Sequence, residues 1–225
     1  MQNTSHAVMA QRVEARDSLD DFPTPPWATR ALIEHIIETD GGTNNLSALE
    51  PACGRGHMAQ TLGEYFASVE ASDVNAYGYG ATSDFLTSPH PAKSCDWVIT
   101  NPPFRLAENF IHRAMPIARR GVAMLVRTVF IEGVGRFQRI FSQQPPSVVA
   151  QFSERVPMIK GRVDKKASTA TGYAWVVWET NYQGPPRLEW IPPCRRALEK
   201  EKDYSNEFLL PDQITFQPAQ HELFG

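Results

Sequence analysis

Four consecutive residues, Asn101-Pro102-Pro103-Phe104, close the largely apolar run Asp96-Trp97-Val98-Ile99-Thr100. They set a side-chain amide, two prolines and an aromatic ring at the carboxyl end of a buried strand, where open α/β sheets bind ligands. The prolines fix φ, and Pro102 pushes Asn101 toward extended backbone. A strand end this rigid can aim the Asn101 side-chain oxygen and the Pro102 carbonyl at one point. Such a pair of acceptors suits an exocyclic amine. The lone pair of that nitrogen is delocalised into its ring, so it is a poor nucleophile. Hydrogen bonds to both N–H atoms favour a pyramidal nitrogen with its lone pair available, and oriented carbonyl dipoles stabilise the positive charge that grows as a methyl group arrives. Holding nitrogen and methyl in line supplies much of the rest by proximity. Phe104 can stack on the base that carries the amine, and in a duplex that base must first be flipped out. In isolation the same four residues equally fit a strand followed by a Pro-Pro turn into a helix, with Asn101 as the cap.

A second constellation narrows the choice. Glu50-Pro51-Ala52-Cys53-Gly54-Arg55-Gly56-His57 follows a short apolar run and opens a helical one. Glycines let backbone turn sharply and approach a ligand, and a helix N-terminus favours an anionic group. Gly54, Gly56 and Ala59 satisfy G-x-G-x-x-G/A, with Asp73 as a ribose acid at the end of the next strand. That pattern alone serves a nicotinamide dinucleotide as well as other nucleoside cofactors. Glu50 separates the two. A carboxylate there would repel a pyrophosphate and would attract the ammonium of a methionine moiety. Asp73 can accept both ribose hydroxyls, and in Asp84-Phe85 a carboxylate can accept an adenine amino group while the ring packs on the base. For Asp84 a turn or N-cap role fits as well. Ammonium, ribose and adenine together favour S-adenosylmethionine, with an exposed strand end or a helix-cap partner as the competing reading of Glu50.

These residues need elements to position them. Strands are expected at 46–50, 68–73, 96–100, 121–127, 147–152 and 173–179, the last (YAWVVWE) being the strongest. Helices are expected at 27–39, 57–66, 106–118 and 131–141, from apolar residues at helical spacing. Strands alternating with helices imply an α/β fold with a mostly parallel sheet covered on both faces. The last two strands have no helix between them and should run antiparallel. The domains expected are a flexible N-terminal tail over 1–21, a compact domain over 22–182, and a C-terminal extension over 183–225 that starts at the Gly184-Pro185-Pro186 break.

The chain resembles the class I, Rossmann-like methyltransferases, specifically the adenine-N6 DNA methyltransferases. Their amine-methylating motif, (Asp/Asn/Ser)-Pro-Pro-(Tyr/Phe), is matched by Asn101 to Phe104. Their cofactor loop is matched by Glu50 to Gly56, their ribose acid by Asp73, their adenine-binding pair by Asp84-Phe85, and their cofactor-contacting Thr-Pro segment by Thr24-Pro25. The likeness covers about residues 22 to 180. The strings PTPPWAT, Val126-Arg127-Thr128 and YAWVVW are similar to small phage and prophage methyltransferases. The resemblance implies a seven-stranded, mostly parallel sheet with one antiparallel strand, S-adenosylmethionine as cofactor, and N6 of adenine in DNA as acceptor. Restriction-type members carry a long target-recognition domain, and no segment here is large enough for one. Specificity should then be short, loose, or supplied by loops. The same motif also serves enzymes that methylate adenine in RNA or glutamine amides in proteins, because an amide nitrogen is delocalised in the same way. A nicotinamide oxidoreductase would need a hydride-transfer acid/base pair, and none is placed convincingly.

Nucleic acid contacts are expected from the segment joining the last two strands. It sets Arg155, Lys160, Arg162, Lys165 and Lys166 against Glu154 and Asp164. Arg127 after the 121–127 strand is expected to add to them, and a solvated hairpin loop is the competing reading. Gln220, Leu223 and Phe224 near the end of the chain resemble the Gln-x-x-Leu-Phe peptides that dock on the replicative sliding clamp, which implies a clamp tether. Bulk properties limit the rest. The 225 residues carry a net charge of −3, against an extended basic face for duplex binding. The three cysteines are far apart in sequence, which argues against disulfides and zinc, so no metal is expected and the compartment reads as cytoplasmic. No apolar run approaches the ~20 residues that cross a bilayer.

Overall fold

The protein is described by a computed structural model over residues 21–37 and 42–205. The strands are β1 (Ser47–Glu50), β2 (Ser68–Asp73), β3 (Ala81–Thr82), β4 (Cys95–Thr100), β5 (Ala118–Arg127), β6 (Val148–Phe152), β7 (Tyr173–Glu179) and β8 (Arg187–Ile191). They form one sheet in the order β3-β2-β1-β4-β5-β7-β6-β8. Only β7 runs against its neighbours, β5 and β6. The central strands are buried on both faces, β7 over Tyr173 to Trp178 and β4 at Trp97 to Thr100. That is why they read as continuous apolar runs.

Helices cover both faces. On one side α1 (Pro26–His35) and α2 (His57–Leu62) pack Trp27, Leu32, Met58 and Leu62 against Trp97 and Trp175. On the other, α3 (Ala107–Ile117) packs Phe110 and Ile111 against Val98, Val122 and Met124. Pro26 in the first turn starts α1 where its missing N–H costs nothing. The Trp175 indole fixes α1 to the sheet by donating to the Ala28 carbonyl at 3.0 Å.

Three expectations are corrected. The sheet has eight strands, not seven. The two-residue β3 is too short and exposed to carry a pattern, and β8 is hidden in sequence between Pro185-Pro186 and Pro192-Pro193. The chain beyond residue 182 does not leave the compact unit at once. It returns through β8, buried Cys194 and the short α5 (Arg195–Leu198). The helix expected over 131–141 is broken, because Gly133 adopts φ 114, outside any helix. A 3₁₀ turn (Thr128–Ile131), the single turn α4 (Val134–Arg136) and a π turn (Phe137–Phe141) take its place. The expected tail over 1–20 and the Gln220-Leu223-Phe224 peptide lie outside the described residues.

One buried ion network ties α1 down. Arg30, 1% exposed, donates to both carboxylate oxygens of Glu64 at 2.8 and 2.9 Å and of Asp203 at 2.7 and 2.8 Å. Removing one partner of such a network leaves an uncompensated buried charge. The network therefore fixes the start of α1, and with it the strap 21–25 that enters the site.

Candidate active site

Glu50 ends β1, Asp73 ends β2 and Asn101 follows β4. These three strands are adjacent, and chain order reverses between β1 and β4, the topological switch at which open sheets bind ligands. A cleft of about 980 Å³, counting its open mouth, lies there. Among its lining residues are Thr24, Glu50, Pro51, Cys53, Gly54, Asp73, Asp84, Phe85, Asn101 and Pro103. A second, narrower pocket of about 420 Å³ lies beyond the strap, lined among others by Phe22, Pro102, Phe104, Arg127, Met158 and Tyr173. Asn101 and Phe22 belong to both.

Each cleft residue is held by its neighbours. The loop after β1 is pinned by the Cys53 amide donating to Ser72 O at 2.9 Å. Gly54 has φ 51, and a Cβ there would meet nothing within 4 Å, so its backbone borders open cleft. Gly56 (φ 86) has a different task. A Cβ on it would lie 2.3 Å from the Tyr79 ring, so this glycine lets the loop pack on Tyr79. It does not line the cleft, and neither does Pro25, which serves as the N-cap of α1. Asp73 accepts the Gly54 amide on one oxygen and the Asn75 amide on the other, both at 2.9 Å. Those bonds hold the carboxylate at the strand end. Asp84 accepts the Leu86 amide at 2.9 Å and the Thr87 hydroxyl at 3.1 Å, so it stabilises a turn while bordering the cleft. Phe85 is buried against Phe110, ring centroids 5.1 Å apart.

Glu50 is the anomaly. It is 2% exposed, and among the described residues its Oε2 has no hydrogen-bond partner. Burial pushes its carboxyl well above the usual glutamate range, the nearby Asp73 charge adds to that, and the Ala59 amide opposes both. A buried carboxylate without a cation is costly, and such perturbed groups cluster at functional sites. His57, in the same wall, is pushed down to about 4, by burial first and by the Arg55 charge second, so it is neutral at pH 7. Cys53 is pushed up by burial and by the charges of Glu50 and Asp73, which leaves no thiolate for nucleophilic chemistry.

Asn101 is oriented by its donor side. Its Nδ2 donates to the Phe22 carbonyl at 3.2 Å and approaches the Met158 sulfur at 3.7 Å. Using Nδ2 this way turns the amide carbonyl in the opposite sense. Phe104 has the Arg127 guanidinium over its ring, 5.1 Å from the centroid. The strap itself is tied at both sides. Asp21 pairs with Arg55 at 3.0 Å, and its carbonyl accepts the Gly161 amide at 2.8 Å.

The expected basic residues divide. Arg127 stands at the second pocket, and a Cβ on Gly172 would lie 3.2 Å from the Arg155 guanidinium and 3.0 Å from the Thr128 hydroxyl, so Arg155 is close by. Arg162 pairs with Asp164 at 3.4 Å. Lys165 pairs with Glu201 and lies over the Tyr204 ring. Lys160 and Lys166 are exposed on the same loop. Phe130 is buried core, 1% exposed. Sequence reasoning missed Arg30 and the lining residues Met158 and Tyr173. Tyr173 alone had a signal, its place at the start of the strongest strand. Among the described residues no group of three or more His, Cys, Asp or Glu is placed to hold a metal, and no helix is long and apolar enough to cross a membrane.

The fold recurs in solved structures. The fold is that of the Rossmann-like methyltransferases. A protein assigned as a modification subunit of a type I restriction enzyme from Vibrio vulnificus superposes with a TM-score of 0.57 at 16% identity, over 84% of this chain and 51% of that one. The methyltransferase subunit of a type I restriction-modification system from Streptococcus thermophilus gives 0.56 at 11% identity, over 84% and 51%. A protein assigned as an RNA methyltransferase from Pyrococcus horikoshii gives 0.54 at 17% identity, over 72% and 87%. The chain thus spans about half the length of the type I subunits. No protein-family model and no curated protein matches it in sequence.

Proposed function

We propose that this chain is an S-adenosylmethionine-dependent methyltransferase acting on an exocyclic amino nitrogen, N6 of adenine in DNA. One observation carries the reading. Asn101, in the Asn-Pro-Pro-Phe segment, borders both a cleft furnished for a cationic nucleoside and a second pocket walled by aromatic rings. The residues present fit the cofactor. Glu50 offers a buried acceptor without a partner to an ammonium group, Asp73 offers a strand-end carboxylate to a ribose, and Gly54 leaves backbone open beside them. When bound, the cofactor supplies a methyl group on a positively charged sulfur.

The chain's own residues then do four things. Glu50 neutralises the ammonium and fixes the methionine end. Thr24 and the strap close the cleft over it. The Asn101 carbonyl and the Pro102 carbonyl accept the two N–H bonds of the target amine and hold its lone pair toward the cleft. Phe104, with Arg127 on its ring, stacks on the base. No side chain is needed as a strong base, because the nitrogen becomes acidic only as it gains the methyl group.

Two features support DNA as the acceptor's carrier: the likeness in fold to modification subunits of restriction systems, and the arginines around the second pocket. The likeness to a protein assigned to RNA methylation supports RNA adenine as the second reading. The Asn101→Ala variant tests the mechanism. Its S-adenosylmethionine affinity by calorimetry stays within about threefold of wild type, while turnover falls by roughly a hundredfold or more, the usual effect of removing one oriented acceptor or donor from the transition state. Retained turnover would remove Asn101 from the chemistry.

A further inference from the structure

A third groove starts where the second pocket ends. It shares Phe104 and runs along Arg105, Gly133, Gly135, Arg136 and Arg139. Gly133 and Gly135 carry no side chain, and the arginines pack over them: a Cβ on Gly135 would lie 2.8 Å from the Arg139 guanidinium, and one on Gly133 would lie 3.8 Å from that of Arg136. Of its three arginines, Arg139 is bound to the one acid in the lining, Glu108, at 3.0 Å. Arg136 is held over the Phe130 ring at 4.8 Å and donates to the Glu132 carbonyl at 3.1 Å, so it is a fixed rather than a roaming charge. From the same turns Val134 and Phe137 project to solvent, 76% and 60% exposed, on a protein whose net charge is −3. Arginines interleaved with an exposed aromatic are the composition of a surface that tracks one phosphate backbone and stacks its bases.

We propose that this groove, resting on the methyltransferase reading above, binds the single-stranded DNA that flanks the target base. The chain leaving Phe104 runs along the arginines with its phosphates on Arg105 and Arg136, and a neighbouring unstacked base lies on Phe137. A single strand fits better than a duplex. The groove begins at the Phe104 ring, which a base reaches only after leaving its stack.

The test is fluorescence anisotropy of a labelled adenine-containing DNA 12-mer, single-stranded and duplex, with an RNA 12-mer of the same sequence, across a salt series. Arg105→Ala is expected to weaken single-strand binding several-fold and to lower the slope of log affinity against log salt by about 0.7, the value for one lost phosphate contact. Phe137→Ala is expected to weaken it by roughly tenfold with the slope unchanged, as for one lost stacked base. Both variants keep the wild-type melting temperature and S-adenosylmethionine affinity. Wild-type affinity and slope in both variants, or no oligonucleotide binding at all, would overturn the groove. Tighter binding of the duplex or of RNA would overturn its occupant. The readout needs no methyl transfer. Groove-dependent binding without methylation would sink the proposed activity and leave the groove, while methylation with an unchanged KM in both variants would do the reverse.

Discussion

Replacing Glu50 by Gln should stabilise the ligand-free protein and disable it. Glutamine keeps an acceptor for the Ala59 amide and nearly the same volume, and it removes a buried negative charge that has no cation and faces Asp73. An unpaired buried polar group costs about 1–3 kcal/mol, and a charged one more, so a gain of about 2 kcal/mol is expected once the pH exceeds the elevated carboxyl value. In a domain of this size that raises the melting temperature by roughly 4–8 °C. The sign with pH follows. The folded-state carboxyl lies above its ordinary value near 4.5, so protonation favours the fold. That contribution is complete below pH 4.5 and is lost as pH rises through the elevated value. The melting-temperature gap between Glu50→Gln and wild type should therefore be small near pH 4 and widen as the pH rises through the elevated value. S-adenosylmethionine reverses the order. Losing a buried charge partner costs about 3 kcal/mol, which is roughly 150-fold in affinity. Thermal melts from pH 4 to 8 with calorimetric titration of the cofactor read both effects. A destabilised Glu50→Gln, or one that binds the cofactor like wild type, would refute the argument that Glu50 is kept for a cation.

Three further outcomes follow from the framework around the site. Arg30→Leu strands the buried Asp203 carboxylate and should cost about 3–5 kcal/mol in urea unfolding, with part of the loss recovered in the Arg30→Leu/Asp203→Leu pair. A double variant no more stable than the single would contradict this. Burial works to raise the Glu64 carboxyl, yet hydrogen bonds from Arg30 and Lys200 hold it down to about 2. Its stabilising contribution is present above pH 4.5 and is lost as pH falls toward 2, so Glu64→Gln should flatten the acid limb of the stability curve. Gly56→Ala brings a methyl group against the Tyr79 ring in a left-handed backbone, and should cost about 2–3 kcal/mol and weaken cofactor binding. Wild-type stability would show that the loop repacks freely.

The sheet and most of the cleft were legible because their signals are local. A strand buried on both faces reads as an apolar run, and β4 and β7 are such strands. A glycine loop between a strand and a helix announces itself through spacing, and Glu50, Gly54 and Asp73 were found that way. What stayed hidden depends on contacts distant in sequence. Arg30 looked like one more surface arginine on a helix, and only Glu64 and Asp203, 34 and 173 residues away, make it buried. β8 carries an exposed Trp190 and Leu188 between two Pro-Pro pairs, so neither alternation nor length marked it. The 131–141 segment has helical spacing, yet Gly133 overrides it. Lys165 counted as a cation for nucleic acid until Glu201 was seen beside it.

The central claim concerns the atom that receives the methyl group. Incubating the protein with radiolabelled S-adenosylmethionine and, in separate reactions, single-stranded DNA, duplex DNA, RNA and protein, followed by nucleoside and amino-acid analysis, reads it directly. The account predicts label in N6-methyladenine from DNA, absent with Asn101→Ala. Label confined to RNA adenine would keep the chemistry and change the substrate. Label only on protein, on a base carbon or on oxygen would contradict the account.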